Sequence, residues 1–261
     1  MKIASWNINS LKVRLPQVLE WLDSSRPDVA ALQEIKQVTE DFPEDAFREA
    51  GYHAIASGQR TYNGVATLSR APLSDIVTEI DGFPDPQRRM LAATVDDLRV
   101  MNVYVPNGQK LASEKYEYKL SWLAAARDYF AEEMSRYERL VVLGDFNIAP
   151  DDRDVYDPVA WGEDIHTSKP ERAALGEILR LGLTDVFRRF PQPEKTFSWW
   201  DYRRGRFRRN AGLRIDLILA SPVLSECCTA SYVDREPRTW ERPSDHAPIL
   251  AEFALGGNMS N

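Results

Sequence analysis

The sequence predicts an α/β fold, one domain in which two β-sheets pack face to face with helices on the outside. Three observations predict it. Short aliphatic runs stop abruptly at polar residues, as in Leu140-Val141-Val142-Leu143 before Gly144-Asp145 and Val29-Ala30-Ala31-Leu32 before Gln33-Glu34. The chain opens in the order strand, helix, strand. The second half repeats helix, strand and further strands with no Gly/Ser/Pro-rich linker between the halves, so the pattern reads as one unit used twice.

Taken in order, residues 2–6 form the first strand, with Asn7 and Asn9 where it ends. Residues 13–22 carry helical periodicity, and Pro16 is tolerable near a first turn. Pro27-Asp28 breaks the chain before the strand at 29–32. The runs 52–56, 64–69, 90–95 and 98–105, separated by Gly, Pro and Asp, read as successive strands in hairpins. Apolar positions at Leu120, Leu123, Ala124, Phe130 and Met134 make 113–137 a long amphipathic helix. The run at 140–143 is a strand buried on both faces. Residues 151–170 are polar and irregular, and 170–181 is a helix with Pro170 at its start and Gly182 past its end. Strands at 196–200, 213–220 and 249–255 close a single domain over 1–255, and 256–261 reads as a frayed tail.

At 261 residues, with 43% hydrophobic and 28% charged residues, the chain has the composition of a soluble globular protein. No stretch approaches membrane-spanning length, and the N-terminus reads as a strand rather than a leader. Cys227 and Cys228 are the only cysteines. Neighbouring Cα atoms lie about 3.8 Å apart, too close for the usual disulfide, so a reducing cytoplasm is the expected compartment. The formal charge of −7 argues against a globally basic nucleic-acid coat. Charge is nevertheless uneven: Arg203, Arg204, Arg206, Arg208, Arg209 and Arg214 crowd together around Tyr202 and Phe207, and Arg88-Arg89 form a smaller pair. Such a patch suits a polyanion held at one face; a solvated charged loop would look the same.

Polar residues at the strand ends carry the chemistry. Asn7, Glu34, Asp145 with Asn147, and Asp216 close otherwise apolar strands, and Ser244-Asp245-His246 precedes the last one. An unpaired carboxylate in such a place is costly. Asp145 and Asn147, two residues apart, would share a side in extended geometry; an Asx turn would use the same pair, and the segment alone does not choose. His246 differs from His53 and His166 in having Asp245 beside it and Asp216 in prospect, carboxylates that would control its tautomer and charge.

At this point the chain resembles the exodeoxyribonuclease III group of abasic-site endonucleases, in the wider endonuclease/exonuclease/phosphatase superfamily. The matching segments are Trp6-Asn7-Ile8-Asn9, Leu32-Gln33-Glu34, Gln87-Arg88-Arg89, Tyr104-Val105-Pro106-Asn107-Gly108, Gly144-Asp145-Phe146-Asn147-Ile148-Ala149-Pro150, Gly212-Leu213-Arg214-Ile215-Asp216 and Ser244-Asp245-His246-Ala247-Pro248. They occur in the group's order and span essentially the whole chain. The resemblance implies a four-layered α/β sandwich, two mixed β-sheets flanked by helices, with the site at one edge. It also implies a metal-dependent DNA repair nuclease that cuts 5′ to abasic sites and trims 3′ ends of double-stranded DNA as a monomer.

By the same resemblance Glu34 binds Mg2+ (or Mn2+) with Asn7 and Asp245, the ligand set extending to Asp145, Asn147 and His246. Asp145 activates water, Asn147 holds Asp145, His246 paired with Asp216 meets a phosphate oxygen, and Tyr104 lies near the phosphate. Asn107 belongs to the substrate-binding set. Trp199 or Trp200 with Leu213 and Ile215 would wall the sugar pocket, and Arg88, Arg203 and Arg206 would hold the DNA backbone. A hard cation with oxygen ligands suits phosphodiester hydrolysis, whereas zinc lacks a cysteine or histidine cluster here. Two other readings share parts of this set: a phosphoesterase acting on a non-nucleic-acid ester, and a DNA-binding module without catalysis.

Overall fold

The computed structural model describes residues 1–255; the expected frayed tail lies outside them. Twelve strands form two sheets of six. The strands are β1 (Lys2–Asn7), β2 (Val29–Gln33), β3 (His53–Ser57), β4 (Val65–Ser69), β5 (Leu73–Val77), β6 (Met90–Val95), β7 (Leu98–Tyr104), β8 (Leu140–Asp145), β9 (Thr184–Asp185), β10 (Asp216–Ala220), β11 (Cys228–Val233) and β12 (Ile249–Phe253). The helices are α1 (Leu11–Ser25), α2 (Glu44–Glu49), α3 (Glu114–Arg136), α4 (Pro158–Trp161), α5 (Lys169–Leu179) and α6 (Pro222–Glu226). One sheet runs β11-β12-β1-β2-β4-β3 and the other β5-β6-β7-β8-β10-β9. Each strand of the first sheet thus has its counterpart six strands away in the second. In both, the central pair is parallel and spanned by a helix, α1 between β1 and β2 and α3 between β7 and β8.

Alternation along the strands builds the layers. In β8, Val141 and Leu143 face the other sheet, while Leu140 and Val142 pack under α3 and α5. In β1 and β2, Ile3, Val29 and Ala31 join that inner core, and Ala4, Trp6, Ala30 and Leu32 pack against α1. Three cores therefore separate four layers, helix, sheet, sheet, helix. The same period carries Asn7, Tyr104, Asp145 and Asp216 on the inner faces of their strands, at the edge where the parallel pairs end. Asp145 stands opposite Tyr104 on one side and Asp216 on the other. Beneath them Gln33 Nε2 donates to Asn102 Oδ1 at 2.8 Å, a buried polar bridge between the sheets.

Several sequence expectations fail locally. Residues 196–200 are not a strand: Trp199 makes only isolated bridges to Leu213 and His246. Strand β10 starts at Asp216, because Leu213 and Ile215 belong to that irregular crossing. Strands β5, β9 and β11 lack a legible pattern; β5 is a mostly exposed edge, β9 has two residues, and β11 carries a bulge at Cys228/Ala230. Helix α1 begins at Leu11, so Pro16 lies in its second turn.

Candidate active site

Local backbone chemistry aims the side chains. Asn7 Oδ1 accepts from the Asn9 amide at 3.0 Å, Asn107 Oδ1 from the Gln109 amide at 3.0 Å, and Asp145 Oδ1 from the Asn147 amide at 2.9 Å. These are Asx turns at three strand tips. The turn and the contact of Asp145 with Asn147 Nδ2 are therefore one arrangement. A continued β2 would send Glu34 outward beside Leu32. Its left-handed backbone, φ 54°, carries the carboxylate inward instead.

The two sheets meet through Asn7. Its Nδ2 donates to Glu34 Oε1 and to Asp145 Oδ2, each at 2.9 Å. Tyr104 Oη donates to the same Glu34 oxygen at 2.9 Å. His246 Nδ1 lies 2.9 Å from Asp216 Oδ2, and its Nε2 is 3.7 Å from Asp145 Oδ2. Asn147 Nδ2 donates to Val105 O at 3.0 Å and to Asp145 Oδ2 at 3.3 Å, and its Oδ1 accepts from Asn107 Nδ2 at 3.1 Å. Asp245 is held by Asn9 Nδ2 at 2.9 Å and by Trp199 Nε1 at 3.0 Å. Glu34, Asp145, Asn147, Asp216, His246, Asn7, Tyr104, Asn107 and Asp245 thus occupy one edge.

Burial sets the charges. It pushes Asp145 up to about 7, with Asp216 and Glu34 adding to the rise and His246 and Asn7 opposing it. Burial alone would lower His246, but Asp216 and Asp145 outweigh it and lift the imidazole to about 10. The ring is therefore protonated at neutral pH and presents Nε2–H. Burial also tends to raise Asp245, yet His246, Trp199 and Asn9 hold it below its usual value. Tyr104 is pushed well above the ordinary phenol range by burial and by Glu34, so its hydroxyl keeps its proton.

The donor set suits a divalent cation with oxygen ligands. Four carboxylates, of Glu34, Asp145, Asp216 and Asp245, gather at this edge, and Asp216 Oδ1 is buried with no hydrogen-bond partner among the described residues. Ligand atoms of Asp145, Asp216 and His246 lie within 4.8 Å of one another. A protonated His246 already engaged by Asp216 is a poor ligand, which moves the favourable side toward the Glu34 and Asp145 carboxylates.

Several residues at this edge were given no place in the site by the sequence. Lys36 Nζ contacts Glu34 Oε2 at 2.7 Å and Asn9 Oδ1 at 2.6 Å, tying Glu34 to the Asn9–Asp245 pair. Arg89, rather than Arg88, reaches the centre: it donates to Tyr104 O at 3.2 Å and lies over the Tyr104 ring, 4.7 Å from its centroid. His166 sets its Nδ1 2.6 Å from Asn147 O and its ring 6.1 Å from that of Trp199. Adjacency to Glu34 and Arg88 was the available signal for Lys36 and Arg89; His166 gave none.

The expected substrate contacts divide. Trp200 is core: fully buried against Phe197 and Ala247, its Nε1 bonded to Asn210 at 3.1 Å, it walls no open pocket. Leu213 and Ile215 are also buried, packed with Val155 beneath Trp161 and Trp199. Trp199 is partly exposed and lines a cavity of about 290 Å³ with Trp161, Arg203 and Arg206. Arg203 is paired with Asp201, and Arg88 is paired with Glu79 at 2.6 Å, away from the centre.

Residues 4–246 match the model of the Endonuclease/Exonuclease/phosphatase family. The chain belongs to that family. Within it, the chain is 37% identical to exodeoxyribonuclease III of Haemophilus influenzae over 272 residues, 97% of this chain and 100% of the relative. The 3′ phosphatase NExo from Neisseria, solved bound to a product DNA hairpin, superposes with a TM-score of 0.96 at 48% identity, over 98% of this chain and 100% of that one. An AP endonuclease from Archaeoglobus fulgidus gives a TM-score of 0.94 at 38% identity, over 98% and 100% of the two chains.

Proposed function

We propose that this chain is a Mg2+-dependent DNA repair nuclease that hydrolyses the phosphodiester 5′ to abasic sites and trims 3′ ends. One observation carries the reading: Asn7 joins Glu34 to Asp145 across the two sheets, with the His246–Asp216 pair alongside. The names of its relatives, exodeoxyribonuclease III, 3′ phosphatase and AP endonuclease, agree with it.

Glu34 would hold the cation, with Asp145 and Asp245 in support, and Asn7 Nδ2 ties the Glu34 and Asp145 carboxylates together. A bound divalent ion supplies charge neutralisation at the phosphate and a more acidic water. Asp145, near 7, accepts a proton from water at neutral pH, where a base of that strength is effective. Asn147 fixes the orientation of its carboxylate through the backbone amide and Nδ2. His246, kept protonated by Asp216, donates Nε2–H to a non-bridging oxygen and stabilises the charge that develops there. The Tyr104 hydroxyl serves as a further neutral donor at the phosphate. Trp199 takes the sugar face beside Leu213 and Ile215, and Arg203 and Arg206 meet the backbone.

The unit spans residues 1–255, works as a monomer and resides in the cytoplasm; no helix among the described residues is long and apolar enough to cross a membrane. The test is incision of an abasic-site duplex and shortening of a recessed 3′ end, with and without EDTA. Both activities are expected with Mg2+ and neither with EDTA. Hydrolysis of an inositol phosphate but of neither DNA would replace this reading with the phosphoesterase one.

A further inference from the structure

Directly below the site, the helix layer holds three buried groups that the mechanism above does not use. Lys119 on α3 and Glu171 on α5 are both fully buried and form an ion pair. Lys119 Nζ also donates to Asn147 O at 2.8 Å and to Asn107 O at 3.3 Å, the carbonyls just past β8 and β7. His166 Nδ1 lies 2.6 Å from the same Asn147 oxygen. Burial and the Lys119 charge lower His166 to about 4, so the ring is neutral at pH 7. Facing a carbonyl, its Nδ1 must carry the proton. Glu171 is satisfied in turn: Oε1 accepts from the His166 amide at 3.1 Å, and Oε2 from the Ser168 amide at 3.1 Å and Ser168 Oγ at 2.6 Å.

A fully buried ion pair contributes little net stability, because desolvation offsets the attraction. What this one does is geometric. Asn147 sits at φ 52°, and its carbonyl is drawn toward the helix layer by two donors. Orienting that residue aims its backbone amide and Nδ2 at Asp145. The second carbonyl contact ties in the loop whose Asn107 side chain caps Asn147 Oδ1.

We infer that the Lys119–Glu171 pair, with His166, is a positioning device that locks the Asn147 carbonyl and so sets Asn147 and Asn107 against Asp145. Lys119 acts through Asn147 and touches no substrate. The inference rests on the nuclease reading.

Its test is the double substitution Lys119→Met/Glu171→Gln, which removes both charges and leaves neither stranded. The expected result on a recessed 3′ end is a kcat lower by up to about 10²-fold, as misplacement of a catalytic group produces, with KM within about twofold of the parent, a factor worth under RT by the affinity scale. The comparison variant is Arg99→Met/Glu133→Gln, which removes a second buried pair, between β7 and α3, whose hydrogen bonds reach Asp75 and Thr94 and no site residue. It should leave kcat and KM unchanged. An unchanged kcat in the first variant, or an equal loss in both, overturns the inference. Should the double variant not fold, His166→Phe, which removes the other donor to the Asn147 carbonyl and strands no charge, bears the same kinetic expectation. A readout independent of turnover is the Asn147 side-chain amide resonance, expected to move in the first variant and stay in the second; no movement overturns the inference. An inactive parent overturns the nuclease reading instead, and the amide resonance then decides the positioning role alone.

Discussion

At the scale of single residues, one carboxylate is asked to be ionised where burial opposes ionisation. Asp145 lifted to about 7 is a strained base, and the strain has a thermodynamic sign. A carboxyl whose folded value lies above its unfolded value favours the fold while protonated, and that contribution is lost as pH rises through about 7. Asp145→Asn should therefore raise the melting temperature of EDTA-treated protein at pH 8, by an amount that shrinks toward pH 4. Every tenfold change in proton affinity corresponds to about 1.4 kcal/mol, so the gain is at most about 4 kcal/mol, and calorimetry across that range measures it. The same variant should lose turnover while binding DNA as before; normal cleavage would remove Asp145 from the role of base. His246 has the same sign in a higher pH window. Raised to about 10 by Asp216 and Asp145 against the effect of burial, it stabilises the fold fully below about pH 6.5 and loses that contribution as pH rises through about 10. In Asp216→Asn the imidazole should titrate at lower pH, which NMR of the ring protons reads directly.

Among the elements, the parallel pair β7–β8 matters most, because it brings Tyr104 opposite Asp145. Gly144 makes that approach feasible. Its φ is 152°, and a Cβ there would stand 1.8 Å from Val103 O, a backbone atom that cannot step aside. Gly144→Ala should separate the two strand tips. The expected cost is about 3 kcal/mol or more, the upper end for overpacking, with activity falling further than stability; urea unfolding beside an incision assay tests both. Wild-type stability in that variant would mean the pair opens at no cost and does not position the site.

For the molecule as a whole, the question is how a chain of net charge −7 holds a polyanion. The proposed answer is uneven placement: Arg203 and Arg206 line the cavity beside Trp199. Binding to a duplex should weaken with salt, and Arg203→Ala/Arg206→Ala should make the log–log slope shallower by about 1 for each phosphate the variant no longer neutralises. A slope equal to the parent's would show that these arginines meet no phosphate. The six-strand repeat places two equivalent sheet edges together, and the site lies at their common end.

Strands with an apolar face on each side and a polar end are legible as short apolar runs that stop at polar residues, and α3 from its helical period, which is why β1, β2, β8 and α3 could be read in place, together with the positions of Asn7, Glu34, Asp145, Asp216 and His246. Burial cost makes a carboxylate at such an end conspicuous in any sequence. Edge strands such as β5 bury too little to leave a pattern, and 196–215 crosses the site as irregular chain, so the place of Trp200 was not readable. Residue types and their order thus determined the layers, the strand ends and the chemistry available there. Only the folded structure decided which ends meet. The contact of Asn7 with Asp145, the inward turn of Glu34, the reach of Arg89 and the Lys119 cation beneath Asn147 join residues far apart in the chain. Pairings of that kind depend on how two sheets and a helix layer stack, and no local periodicity encodes them.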